Sequence, residues 1–200
     1  MTTATKQATA IFQKKGGLLR TREAIQAGIH PRTLYAMRDA SAVEQSGRGL
    51  FRLAGLPPLS EPDLVVVAKR IPSAVVCLIS ALAIHELTSQ IPHVVQIALR
   101  PGARTPHIEH PPIEVFRFSQ KALAAGVEER QIDGMTVRVF SPEKTLADVF
   151  KFRNRVGLEV AVEALRNYAR RKRRRFDLIL EFAQICRVER VMRPYLEVVS

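Results

Sequence analysis

The sequence predicts an α+β chain in two parts. A winged helix-turn-helix comes first, followed by a mixed α/β domain with an antiparallel sheet and a C-terminal helical set. Three observations carry this. Arg20 to Ala54 (RTREAIQAGIHPRTLYAMRDASAVEQSGRGLFRLA) holds two short helical patterns that meet at a Gly, then two short strand patterns around a Gly-Arg-Gly tip. Gly55-Leu56-Pro57-Pro58-Leu59-Ser60 follows, and its paired prolines stop regular structure and stiffen a connection. After Ser141-Pro142-Glu143 the periodicity is helical to the end. The expected division is a DNA-reading domain at 1–56, a linker at 57–62 and a larger domain at 63–200.

Within the first part, Ala4, Ala8, Ile11 and Phe12 share one helical face, and Gly16-Gly17 ends that helix. Leu18-Leu19-Arg20 is a short extended piece suited to pairing with the wing. Thr21 is expected to cap a second helix, with Glu23 in the first turn where the dipole favours an anion. Ala24 and Ile25 are expected to face inward, Gly28 to close the helix in the left-handed conformation, and Ile29 to pack back. His30-Pro31 opens a third helix, with Pro at a first position that has no N–H to lose. At about 100° per residue, Leu34, Met37 and Ser41 form its anchoring side. Arg32, Tyr35, Ala36 and Asp39 form the side offered to a partner, with Thr33 and Arg38 on the flanks. Ala42–Gln45 and Leu50–Leu53 read as strands around Ser46-Gly47-Arg48-Gly49.

In the second part, Asp63 to Arg70 reads as a helix. Ser73 to Leu87 begins β-branched and continues as an apolar helix. Val94–Leu99, Ile113–Phe118, Gly126–Ile132 and Met135–Phe140 read as four antiparallel strands, the last two joined at Asp133-Gly134. Thr145–Arg153, a stripe of Leu158, Ala161, Val162, Leu165 and Tyr168, then Leu178–Ile185 and Val188–Val199 make the helical set. Pro194 is expected to kink or shorten the last helix.

The chain carries 31 Lys/Arg against 19 Asp/Glu, a net charge of +12. Residues 1–56 hold 9 against 3 (+6), residues 57–140 hold 8 against 8, and residues 141–200 hold 14 against 8 (+6). Two basic ends around a neutral middle point to a polyanionic partner. Two cysteines, Cys77 and Cys186, stand among apolar residues and are expected as buried free thiols. The start MTTATKQATA lacks an apolar core, so no signal peptide is expected, and Ser73–Ile84 is too short to span a bilayer. A cytoplasmic protein with no membrane partner is expected.

Arg32 is the first candidate for a base contact, because a guanidinium can bond guanine O6 and N7 together. Thr33 and Tyr35 suit phosphates or bases, and Ala36 leaves room for a thymine methyl. Arg20 and Arg22, at the start of the second helix, suit the DNA backbone, and Arg48 at the wing tip suits a phosphate or the minor groove. The run Arg170, Arg171, Lys172, Arg173, Arg174, Arg175 suits a second nucleic-acid surface or a solvated loop. His85, His93, His107 and His110 show no metal-ligand spacing, so no metal or cofactor is expected; His85 reads as a satisfied core residue. No phosphate loop or nucleophile elbow is present. Glu143, Lys144, Asp148 and Lys151 read as surface and semi-buried helix salt bridges rather than a catalytic set, so no enzyme is expected.

The stretch GGLLRTREAIQAGIHPRTLYAMRDAS…GRGLFRLA resembles the N-terminal winged helix of AbiEi-type antitoxins. PSAVVCLISALAIHELTSQIPH, SPEKTLADVFKFRNRVGLEVAVEALRNYARR and CRVERVMRPYLE are similar to the rest of that family. The resemblance implies a type IV toxin–antitoxin system linked to phage abortive infection. It implies a repressor that binds inverted repeats in its own promoter through double-stranded DNA contacts at Arg32, Thr33, Tyr35 and Arg48. It also implies a C-terminal domain that counters a nucleotidyltransferase-like toxin, often without a stable complex. The alternatives are a stand-alone transcriptional regulator, or an RNA- or protein-binding module using the basic C-terminal helices.

Overall fold

A computed structural model describes residues 2–199. The chain forms two compact units: Met1–Pro62 with Asp133–Met135, and Asp63–Ile132 with Thr136–Ser200.

The first unit runs α1 (Thr3–Lys14), β1 (Leu18–Arg20), α2 (Thr21–Gln26), α3 (Pro31–Asp39), β2 (Val43–Gly47) and β3 (Leu50–Leu53). The strands form an antiparallel sheet in the order β1-β3-β2. Its core gathers Ala8 and Phe12 from α1, Leu19 from β1, Ala24 from α2, Leu34 and Met37 from α3, and Val43 and Phe51 from the hairpin.

Three expectations here are corrected. Thr21 is not the cap of α2 but its first residue; Arg20 is the cap, and its backbone N–H donates to Glu23 Oε2 at 2.9 Å. Ile25 is 45% exposed rather than inward. With only six residues, α2 has one buried position, Ala24, and its neighbour is rotated out by the helical step. Ser41 leaves the anchoring stripe because α3 ends at Asp39 and Ser41 turns left-handed (φ 54), so Ala42 can donate to the Met37 carbonyl at 2.8 Å. A serine here takes the position glycine usually fills.

The second unit contains α4 (Pro62–Arg70), β4 (Val75–Val76), α5 (Leu78–Ile84), β5 (Val95–Leu99), β6 (Ile113–Arg117), α6 (Gln120–Ala124), β7 (Val127–Ile132), β8 (Met135–Phe140), α7 (Pro142–Lys151), α8 (Arg153–Val156), α9 (Leu158–Ala169), α10 (Phe176–Cys186) and α11 (Glu189–Val199). The sheet has five strands in the order β6-β5-β4-β8-β7. It is mixed, not antiparallel throughout: β4 pairs antiparallel with β5 but parallel with β8, and β5 pairs parallel with β6. Residues 100–112 are the reason for the last pairing. That segment is long enough to return to the starting end, which a parallel pair requires. The two-residue β4 strand and the five-residue helix α6 add to what periodicity showed.

All five residues of β5 are buried, because both sheet faces are covered. Val95, Ile97 and Leu99 meet α4 residues Leu64 and Val67 on one side. Ala98 lies on the other side, with Leu146, Ala147 and Val149 of α7, Leu165 of α9 and Ile179 of α10. Helix α7 is enclosed from Lys144 to Phe150. Its start is as expected: the Ser141 hydroxyl accepts from the Lys144 N–H at 3.2 Å, with Pro142 in the first turn. Pro194 lies inside α11, which runs on to Val199. Among the described residues, no helix is long and apolar enough to cross a membrane.

Candidate nucleic-acid interface

The α2–turn–α3 unit is organised by its turn. Gly28 adopts φ 96, and Ile29 donates to the Ala24 carbonyl at 2.9 Å while its side chain is buried. His30 then caps α3, its Nδ1 accepting from the Arg32 N–H at 3.2 Å. Leu34 and Met37 are buried and fix the rotation of α3 about its own axis. That rotation exposes Arg32, Tyr35, Ala36, Arg38 and Asp39 and leaves Thr33 half-buried. Arg32, Tyr35 and Ala36 thus share one solvent-facing surface.

Tyr35 is 42% exposed but not loose. Its ring meets the buried Phe51 edge-on, with centroids 6.1 Å apart, and the Arg38 guanidinium carbon lies 5.1 Å from its centroid. Sequence reasoning left Arg38 on the flank. The three-residue spacing from Tyr35 was the signal for its position over the ring.

The wing is tied to α2. Thr21 donates to the Gly49 carbonyl from its N–H at 2.9 Å and from its hydroxyl at 3.3 Å. Gly49 sits at φ 66, and a Cβ there would lie 3.2 Å from the Thr21 hydroxyl. Two glycines therefore bracket Arg48 at an exposed tip. Arg22 is exposed in the first turn of α2, whereas Arg20 is half-buried within the β1–β3 ladder opposite Leu50. Arg52 turns away to donate to the Leu56 carbonyl at 3.5 Å and to the Pro57 carbonyl.

The six cations at 170–175 divide into two sets. Arg171 donates to the His85 carbonyl, Arg174 to the Ala169 carbonyl at the end of α9 (2.9 Å), and Arg175 to Asp177 (2.7 Å). The Arg175 N–H also donates to the Tyr168 hydroxyl at 2.8 Å. Those three residues order the α9–α10 turn. Arg170, Lys172 and Arg173 are exposed.

The Lys144–Asp148 pair is corrected from a surface or semi-buried bridge to a fully buried one. Lys144 Nζ lies 2.6 Å from both carboxylate oxygens, and both side chains are 0% exposed. The cation also faces the Phe140 and Phe118 rings at 4.0 and 4.9 Å. The Cys186 thiol donates to Asp148 Oδ1 at 3.2 Å. Burial raises the Asp148 pKa against the opposing pull of Lys144. It pushes the Cys186 thiol up to about 12, with the Asp148 charge adding to it. A carboxylate closed off in this way is core structure. Among the described residues no group of three His, Cys, Asp or Glu could hold a metal ion.

Residues 6–54 match the family described as transcriptional regulator, AbiEi antitoxin. The match shows the resemblance to AbiEi-type antitoxins over the winged helix. The fold of the chain is similar to that in a crystal structure of the RV2827C protein from Mycobacterium tuberculosis. The TM-score is 0.58 at 15% identity, covering 97% of this chain and 80% of that one; at this identity the likeness is one of fold. No curated protein sequence matches the chain.

Proposed function

We propose that this chain, whose winged helix is of the AbiEi antitoxin regulator kind, reads double-stranded DNA with α3 and represses its own promoter at inverted repeats. The observation that carries the reading is the solvent face of α3. Arg32, Tyr35 and Ala36 stand together on a helix whose rotation is set by Leu34 and Met37, within a stretch, residues 1–56, of charge +6 that carries an Arg-tipped wing. In this reading Arg32 meets a base edge, Thr33 a phosphate at the helix start, and Arg48 the minor groove or its rim. Arg22 meets the DNA backbone, with Arg20 setting the start of α2. The division of labour follows the sequence: DNA reading in 1–56, a linker at 57–62, and toxin-directed work in 63–200. The protein acts in the cytoplasm, without catalysis of its own. It opposes a nucleotidyltransferase-like toxin without forming a lasting complex with it.

Replacing Arg32 with Ala is expected to cost about 1–3 kcal/mol on the promoter duplex and to relax specificity at one base pair. Fluorescence anisotropy against single-base variants of the repeat measures both. Unchanged affinity would remove α3 from the interface.

A second reading is favoured by the three exposed cations of the α9–α10 turn. There the toxin-directed half of the function is a contact of Arg170, Lys172 and Arg173 with an anionic partner surface, either RNA or protein.

A further inference from the structure

We infer that Asp39 is a specificity-determining residue. It clamps Arg38 across Tyr35 and so withholds one cation from the DNA backbone. The inference rests on the DNA-binding reading of α3.

The geometry of the clamp is unusual for neighbours on a helix. Side chains at consecutive positions point about 100° apart and do not ordinarily meet. Here Arg38 donates from Nε at 2.9 Å and from Nη2 at 2.7 Å to the same Asp39 oxygen, Oδ1. It can do so only by turning its guanidinium aside, and that turn lays the group over the Tyr35 ring, 5.1 Å from the centroid. Tyr35 in turn meets Phe51, which is buried in the wing sheet. Phe51, Tyr35, Arg38 and Asp39 thus form a continuous chain from the core to the presented face of α3.

Asp39 is also badly placed for the helix itself. It is the last residue of α3, where the helix dipole disfavours an anion. Nor does it suit a polyanion, since its side chain is 66% exposed on the face offered to the partner. Its placement is understandable if its role is toward Arg38.

Two consequences follow for DNA. Tyr35 is held between Phe51 on one side and the Arg38 guanidinium on the other, which favours one orientation of its ring. The Arg38 guanidinium is already paired with Asp39, so a phosphate has to compete with that carboxylate for it. Free cations raise affinity for every sequence alike, and specificity is the ratio of bound target to bound bulk DNA. The clamp therefore lowers indiscriminate binding while leaving Arg32 and Tyr35 to read sequence. The rival role for an exposed Asp on this face is direct acceptance from a cytosine amino group.

The test uses the full chain as wild type, Asp39→Ala, Arg38→Ala and the double variant, with thermal melting to establish equal folding. Affinity is measured by anisotropy on a promoter duplex and on an unrelated duplex of equal length, across about 50 to 200 mM salt. Asp39→Ala is expected to bind the unrelated duplex several-fold more tightly at low salt, with a slope steeper by about 0.9. The ratio of promoter to unrelated binding narrows. In the Arg38→Ala background the same change is expected to give a clearly smaller gain, the part that removing one exposed negative charge supplies by itself. An equal gain in that background would reduce Asp39 to plain repulsion and overturn the clamp. So would loss of promoter binding at unchanged slope, which marks a cytosine contact, and so would no change at all. Failure of the wild type to bind either duplex would instead bring down the DNA-binding reading, and this inference with it.

Discussion

At His85, Nε2–H donates to the Phe140 carbonyl at 2.7 Å, and burial lowers the imidazole pKa from its ordinary 6.5 by more than that bond raises it. The unfolded chain therefore takes up a proton near that ordinary value, while the folded chain does not. The resulting stability is present above about pH 6.5 and lost as pH falls below it. Melting temperatures measured at about pH 7.5 and 5.5 are expected to drop with acid in the wild type. The drop should shrink in His85→Gln, which keeps a donor for Phe140 and never charges. Asp148 makes the opposite point, since its neighbour is permanently committed. Asp148→Ala would leave the Lys144 amine without its carboxylate partner among Phe118, Phe140 and the apolar core, at an expected cost of about 3–5 kcal/mol. Replacing the pair together, with Lys144→Met and Asp148→Leu, is expected to recover most of that loss in urea denaturation, because two apolar side chains need no partner.

At the scale of elements, α7 organises the second unit, and its entry is tightly built. Ser141 caps it, and the Ser141 N–H donates to the Gly126 carbonyl at 2.7 Å, which joins the start of α7 to the residue before β7. Gly126 is left-handed (φ 64), and a Cβ there would fall 2.7 Å from Lys144 Cβ and 3.0 Å from Phe182 Cζ. Gly126→Ala is therefore expected to destabilise by about 1–3 kcal/mol through overpacking alone, with the strained backbone adding to it. Ser141→Ala, which removes only the cap, is expected to cost about 1 kcal/mol. Chemical denaturation orders the two; a milder glycine variant would mean that Lys144 can shift its stem.

For the whole molecule, the basic ends are not equivalent. The first 56 residues hold their excess on and around the winged helix that matches the antitoxin regulator family. The last 60 hold a larger number of cations, of which Arg171, Arg174 and Arg175 are engaged with His85, Ala169 and Asp177. Changing Arg170, Lys172 and Arg173 together to Gln is expected to leave the melting temperature and promoter affinity close to wild type. If the second basic surface serves the toxin-directed function, protection from the toxin in growth assays should be lost in the same variant. Arg175→Gln, which removes the exposed ion pair with Asp177 but keeps the backbone bond to Tyr168, should lower the melting temperature only slightly.

The winged helix was legible from sequence because its signals are local. Gly28 and Pro31 punctuate the turn, Leu34 and Met37 set the face of α3, and two glycines frame Arg48, all within about one turn or hairpin of what they determine. The same reasoning failed for Ile25, which a six-residue helix turns outward, and for Ser41, where α3 stopped sooner than its pattern. What only the tertiary structure decided depends on distant chain. The parallel direction of β6 follows from where residues 100–112 return. The burial of Lys144 and Asp148, four residues apart like many surface pairs, follows from α10 and the sheet closing over α7. The engaged half of the arginine run could not be told from the exposed half by composition, because identical residues differ there only in which carbonyl or carboxylate lies within reach. In this protein local chemistry wrote the elements and the presented face, and long-range packing decided which charges remained available to a partner.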